Sequence, residues 1–323
     1  MNVARSAHTA SLLTNGSVLV AGGGVNSCEL YNPLTGIWTT TGTMSTTRSS
    51  HTASLLPNGM VLVAGGYNGG NFLNTAELFD PSTNSWTPTG SMNAARAFHT
   101  ATTLSNGSVL VVGGWGGVIN VFLSSAELYN SITGTWTQLS NANGPRTDHI
   151  ACKLLNGKVL ISGGTNSSNV LASAELFDPS LGTWTFTGSM TYSRRYYSAA
   201  VLSNGTVLVA GGVDNSGTTK NSAELYDALT GTWTTTTNMN TIRQWHTASV
   251  LLDGTVLVVG GSGGSSYLNS AEIYNPTNST WTTTPNMTIG RKDHTETVLS
   301  SGTVLVAGGT DSSGTTLNTV ELY

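Results

Sequence analysis

Charge is what this sequence has least of. Only 9% of its 323 residues are Asp, Glu, Lys or Arg, against roughly 25% in an average soluble protein. The net charge is −4 and no basic block occurs. Nucleic acid and anionic membranes are therefore not expected as partners, because both are gripped by clustered Lys and Arg. Long apolar runs are missing as well: none approaches the ~20 residues of a membrane-spanning helix, so no membrane span is expected. Cysteine is down to Cys28 and Cys152, too few for a disulfide framework, and both read as buried free thiols. No segment carries a convincing 3.6-residue apolar period, which leaves amphipathic helices without a signal. Serine- and cysteine-hydrolase motifs and phosphate-cradling loops are absent too. No secretory leader precedes the first repeat, and since Met1 already fills a repeat slot, the chain reads as a segment of a longer or processed protein.

What is abundant is glycine, with 39 residues, set among Thr, Ser and Asn, while hydrophobic content stays at 38%. That mixture suits many short strands joined by tight turns around an apolar core. The strands come in repeats. Gly-Gly pairs begin at Gly22, Gly65, Gly113, Gly163, Gly211, Gly260 and Gly308, with steps of 43, 48, 50, 48, 49 and 48 residues. One clear copy reads Met92, Arg96, His99-Thr100-Ala101, Asn106-Gly107, Val109 to Val112, Gly113-Gly114, Ala126-Glu127-Leu128-Tyr129 and Trp136-Thr137. The segment from His99 reads as a first strand. Asn106-Gly107 reads as a two-residue hairpin turn with both residues at positive φ. Val109 to Val112 is continuously apolar, as a strand buried on both faces would be. Gly113-Gly114 ends that strand where no side chain fits. Ala126 to Tyr129 is a third strand, and Trp136-Thr137 opens a polar fourth. Four antiparallel strands at a period near 50 predict one propeller blade per repeat.

At these residues the sequence resembles the kelch family, and most of all the repeats of galactose-oxidase-like propellers. The resemblance covers the whole chain and rests on Arg-x-x-His, the Gly-Gly pair, Glu-Leu-Tyr followed by Asp or Asn and Pro, and the Trp. It implies an all-β, seven-bladed propeller as a single domain, with blades at approximately 1–43, 44–91, 92–141, 142–189, 190–238, 239–286 and 287–323. Trp38, Trp86, Trp136, Trp184, Trp233 and Trp281 supply only six fourth strands, so the last blade is expected to lack its outermost strand. Its open edge at Glu321 to Tyr323 is a candidate for strand exchange or assembly with another chain.

Half of the 28 charged residues fall in two repeat slots: Arg5, Arg48, Arg96, Arg146, Arg194, Arg243 and Arg291, and Glu29, Glu77, Glu127, Glu175, Glu224, Glu272 and Glu321. A slot filled alike in every blade is architectural, and a buried charge needs a partner, so a structural Arg–Glu pair is expected in each blade. His8, His51, His99, His149, His246 and His294 share another slot, which Tyr197 fills in the fifth repeat. One imidazole per blade spreads round a wide circle and does not form a metal cluster, so no metal is expected. Galactose-oxidase-like copper enzymes carry Tyr-His at this slot and a Tyr crosslinked to a Cys. None of the seven dipeptides here is Tyr-His, and neither cysteine sits in a recognisable crosslinking context, so no cofactor and no enzyme activity are expected.

Function is sought where the copies differ. The loop after each Gly-Gly and the pair before the histidine slot both vary, and in an up-down-up-down blade both lie on one face. Blades one and two are bland there, with Ser6, Ala7, Ser49 and Ser50. Blades three to seven carry Phe98, Asp148, Arg195, Tyr196, Gln244, Trp245, Lys292 and Asp293, and Trp115, Tyr67, Phe72, Phe122 and Tyr267 stand in the adjoining loops. Rings with a few polar groups suit a protein or glycan ligand. The leading reading is a non-catalytic binding module using this face. The alternative is an assembly module pairing at the open edge, and the third is a degenerate relative of the copper oxidases. Sequons at Asn15, Asn106, Asn166, Asn204, Asn278 and Asn286, with few lysines and many threonines, point to an extracellular or cell-surface glycoprotein, with a cytoplasmic location as the alternative.

Overall fold

A computed structural model describes residues 1–116 and 121–323. Six four-stranded antiparallel sheets and one three-stranded sheet follow each other along the chain, and a short two-stranded piece joins Arg96–Ala97 to Trp115–Gly116. No helix occurs among the described residues, and none is available to cross a membrane. Blade one shows the plan: His8–Leu12, Val18–Gly22, Cys28–Asn32 and Ile37–Thr40 are hydrogen-bonded in that order from inside to outside. The inner strands of neighbouring blades touch all the way round, including His8–Leu12 against Thr295–Val298 of blade seven. The strands thus stand about a common axis as a seven-bladed propeller.

The unbroken apolar second strand has a simple cause. Successive side chains of a strand point to opposite faces, and in a propeller each face meets a different blade. In blade one, Leu19 and Ala21 join Val61, Val63 and Phe79 of blade two, whereas Val18 and Val20 join Leu299 and Leu305 of blade seven. Every second strand therefore needs apolar side chains at both phases, and Val109–Val112 is buried throughout. The core is accordingly seven clusters between blades rather than one central mass. The Gly-Gly pair is steric in origin: a Cβ on Gly65, held at φ +66, would lie 2.5 Å from the Arg96 carbonyl of the next blade.

The hairpin turn differs from the sequence reading. In Leu13-Thr14-Asn15-Gly16 only Gly16 takes positive φ. Its N–H donates to the Leu13 carbonyl, and the Leu13 N–H donates to Ser17. This is a three-residue loop, Thr14 to Gly16, with the glycine at its left-handed end, one residue longer than a two-residue loop. Asn15 keeps negative φ and its Oδ1 accepts the Ser17 N–H at 3.0 Å, so the asparagine is selected as an acceptor.

The outer strand is fastened by its tryptophan. Tyr31–Trp38, Phe79–Trp86, Tyr129–Trp136, Phe177–Trp184, Tyr226–Trp233 and Tyr274–Trp281 have ring centroids 4.9–5.2 Å apart. Blade seven ends at Val320–Leu322, which pairs only with Val304–Ala307. Tyr323 there has no tryptophan, and its hydroxyl accepts from Thr284 at 3.3 Å. The ring still closes without that strand. The Arg5 N–H donates to Leu317, Gly309 to Arg5, and Ala7 to Asp293.

Candidate functional site

The recurring charges lie inside the blades. Each repeat-slot arginine contacts the glutamate of its own blade at 2.7–3.2 Å. Arg96 is typical: it donates to the carbonyls of Gly113 and Ser125, to the Ser125 hydroxyl and to Glu127. Glu127 also accepts the backbone N–H groups of Asn93 and Ala94, so the pair ties the linker entering the blade to its third strand. The histidines are equally committed. His51, His99, His149 and His294 each place Nε2 about 3 Å from a threonine hydroxyl of the preceding blade. His8 bonds to Thr295 across the closure, and His246 to Ser198. Burial, with nearby arginine charge, pushes His8, His51, His246 and His294 down to about 3. They stay neutral at any physiological pH.

One feature of the loop face was invisible in the sequence. The residue just before the histidine slot is left-handed in all seven blades: Ala7, Ser50, Phe98, Asp148, Tyr196, Trp245 and Asp293 have φ between 50 and 56°. These seven share no side-chain chemistry. Round the axis five of them also donate their backbone N–H to the corresponding residue of the preceding blade: Ala7 to Asp293, Ser50 to Ala7, Phe98 to Ser50, Asp148 to Phe98 and Trp245 to Tyr196. The left-handed backbone is costly for bulky residues, on the order of 1–3 kcal/mol each, yet three positions hold Phe, Tyr and Trp.

Around that ring the variable side chains gather into two cavities. The axial one, about 460 Å³, brings together Phe98, Asp148, Tyr196, Trp245, Lys292 and Asp293. Its rings and cations form a stack. Arg195 lies 4.9 Å over Tyr196, Tyr196 is 4.7 Å from Trp245, and Lys292 caps Trp245 at 4.3 Å and Tyr267 at 5.0 Å. The second cavity, about 550 Å³, lies toward blades three to five and is lined by Phe98, Trp115, Phe122, Asp148, Arg195 and Tyr196, together with the loops around Asn166 and Asn215. Trp115 is buttressed by Phe72 and Phe122 at 5.5 and 6.3 Å, and Tyr67 extends the row beyond Phe72. Gln244 lines neither cavity; its amide donates to Thr219. Asp148 stands at the junction of the two. Burial raises its carboxyl to about 6, the Arg195 charge and the Tyr196 hydroxyl only partly opposing the rise. Burial likewise raises Asp293.

Glu296 escaped the sequence reading. It sits two residues beyond the histidine slot, where the other blades carry Ala10, Ala53, Ala101, Ala151, Ala199 and Ala248. Both of its carboxylate oxygens are buried and make no well-formed hydrogen bond, the Thr247 and Ser249 hydroxyls being the nearest donors. The break in the alanine column was the available signal.

Copper does not fit these residues. The imidazoles that would have to ligate it are turned between blades onto hydroxyls, and the Tyr197 hydroxyl bonds Ser162. Among the described residues no group of three His, Cys, Asp or Glu side chains converges on a metal-sized site. Cys28 and Cys152 are free, and burial raises their thiols to about 11 and about 12.

Comparison with known proteins agrees with this architecture. No curated protein matches the sequence. Among solved structures, one described as a novel fungal alcohol oxidase with catalytic diversity among the AA5 family, in complex with copper, superposes with a TM-score of 0.78. It is 19% identical, and the match covers 96% of this chain and 72% of that one; at that identity the likeness concerns the fold alone. The family model of the KLHDC2/KLHL20/DRC7 Kelch-repeats domain matches residues 2–164 and again 149–323. With both halves of the ring matched and the slot Arg, Glu and Gly-Gly in place in all seven blades, the chain belongs to the Kelch-repeat family.

Proposed function

We propose that this propeller is a non-catalytic recognition module that binds a protein or glycan on its loop face, in an extracellular or cell-surface setting. The carrying observation is the ring of left-handed residues. Backbone strain persists where surrounding structure imposes it, and it collects at ligand sites. Here it holds Phe98, Tyr196 and Trp245 beside two cavities, while the positions outside the face repeat from blade to blade. Kelch propellers are generally interaction modules, which accords with this reading. The test is a binding screen on protein and glycan arrays with the wild type, followed by Trp245→Ala and Phe98→Ala. A central aromatic anchor is worth about 2 kcal/mol or more, so the captured ligand should bind at least roughly tenfold more weakly to these variants. Unchanged affinity in both would remove the loop face from consideration.

A second reading rests on blade seven. Val320–Leu322 leaves one strand edge unpaired, Leu322 is 55% exposed, and Tyr323 lacks the tryptophan that covers its counterparts. A strand of the Thr-Trp-Thr-Thr type from another chain would complete the sheet by β-augmentation. A peptide of that sequence should bind and protect the Val320–Leu322 amides from exchange. The absence of measurable affinity would count against docking there.

A further inference from the structure

Arg195 differs from every other arginine in the chain. The seven repeat-slot arginines are each held by a glutamate, but Arg195 has no carboxylate within salt-bridge distance among the described residues. Its Nε is buried without an acceptor. Its guanidinium leans on the Tyr196 ring and borders the 550 Å³ cavity. Across that cavity stand Phe98, 41% exposed, and Phe122. Two polar loops close the rim, tied together where Asn215 Oδ1 accepts the Val170 N–H at 2.9 Å.

A ligand suited to this cavity must bring three things: an anionic acceptor for Arg195, flat apolar faces for the phenylalanines, and hydroxyls for the rim. An extended peptide is a poorer match. The loop backbones are already bridged, Thr147 with Thr165, Thr165 with Val170, and Arg195 with Val213, so among the described residues these segments offer a peptide strand no free ladder to join. We propose that the cavity binds an acidic oligosaccharide, with Arg195 gripping the carboxylate of a uronic acid residue and the sugar rings lying against Phe98 and Phe122. This rests on the recognition reading above and names its ligand class. The volume lies within the range of small-molecule sites.

Asp148 supplies a pH signature. It faces Arg195 and Tyr196, with Asp293 beyond the tyrosine and the Asp214–Lys220 pair at the rim. Above about 6 its carboxylate repels a bound anion; below that pH it is neutral. Affinity for a uronate should therefore rise as the solution is acidified, until the ligand itself protonates.

The experiment is calorimetric titration of the whole chain with galacturonate, mannuronate and glucuronate-containing oligomers. Their methyl esters and an acidic peptide serve as comparators, at about pH 5 and about pH 8. One uronate series should bind, tighter at the lower pH. Esterification or Arg195→Gln should weaken it by roughly tenfold or more, because a charge-assisted hydrogen bond is lost, and Arg195→Lys should restore part of the affinity. Equal affinity for ester and acid, indifference to Arg195→Gln, or binding of the peptide alone overturns the inference. If Arg195→Gln is silent while Trp245→Ala still abolishes capture of an array ligand, only the uronate assignment falls. If no loop-face variant affects any ligand, both fall.

Discussion

Replacing Arg96 by alanine should destabilise the propeller by about 3–5 kcal/mol, the range for breaking one partner out of a buried ion pair. The side chain is fully buried and donates four hydrogen bonds, the shortest being 2.7 Å to Glu127. Its removal leaves the Gly113 carbonyl without its donor and the Ser125 carbonyl with the Gly113 N–H alone. It also leaves a glutamate that is 1% exposed with only backbone and amide donors to offset its charge. The melting temperature should fall on the order of 10 °C. Arg195→Ala is the matching control, since that side chain is only partly buried and holds no glutamate; it should melt within a degree or two of the wild type. Differential scanning calorimetry of the two variants decides the point. Arg96→Ala melting with the wild type would mean that the pair is not structural.

The Arg–Glu pairing and the strand plan were legible in the sequence because both are repeated. A residue type that returns at one slot in every blade reports a constraint of the fold, and seven copies of Arg-x-x-His and Gly-Gly leave little freedom in placing strands. The face carrying Arg195 and Tyr196 was legible for the same reason inverted: departures from a strict repeat stand out. The left-handed ring could not be read, because Ala7, Ser50, Phe98 and Asp148 share no side-chain propensity for that backbone. The turn at Asn15-Gly16 was misjudged by one residue, because an Asn-Gly pair is compatible with two loop lengths and only strand register chooses between them. The larger cavity was hidden because its walls come from blades three, four and five, whose loops are distant in sequence.

Glu296 gives the opposite expectation to Arg96: its removal should stabilise the protein, and only at neutral to alkaline pH. Six blades place an alanine at this slot, half-buried against the inter-blade clusters. In blade seven the glutamate points toward blade six, where the Thr247 and Ser249 hydroxyls only partly offset its burial, and its carboxyl rises from the usual 4.5 to about 7. The unfolded chain ionises this group near 4.5, the folded chain near 7, so the folded state holds the extra proton between those values. Stability from this group is therefore greatest below the lower value and is lost as pH rises through the higher one. The loss is at most on the order of 3 kcal/mol, at about 1.4 kcal/mol per pH unit of displacement. Glu296→Ala restores the residue used by every other blade. It should raise the unfolding free energy by up to this margin at about pH 8, while the gap to the wild type closes at about pH 4. Every other titrating group is common to both proteins, so the difference between their stability-versus-pH curves isolates this carboxyl. Parallel curves, or a variant no more stable than the wild type at the alkaline end, would show that Glu296 finds solvent or a donor in the folded protein. The buried acid would then be no exception to the alanine column.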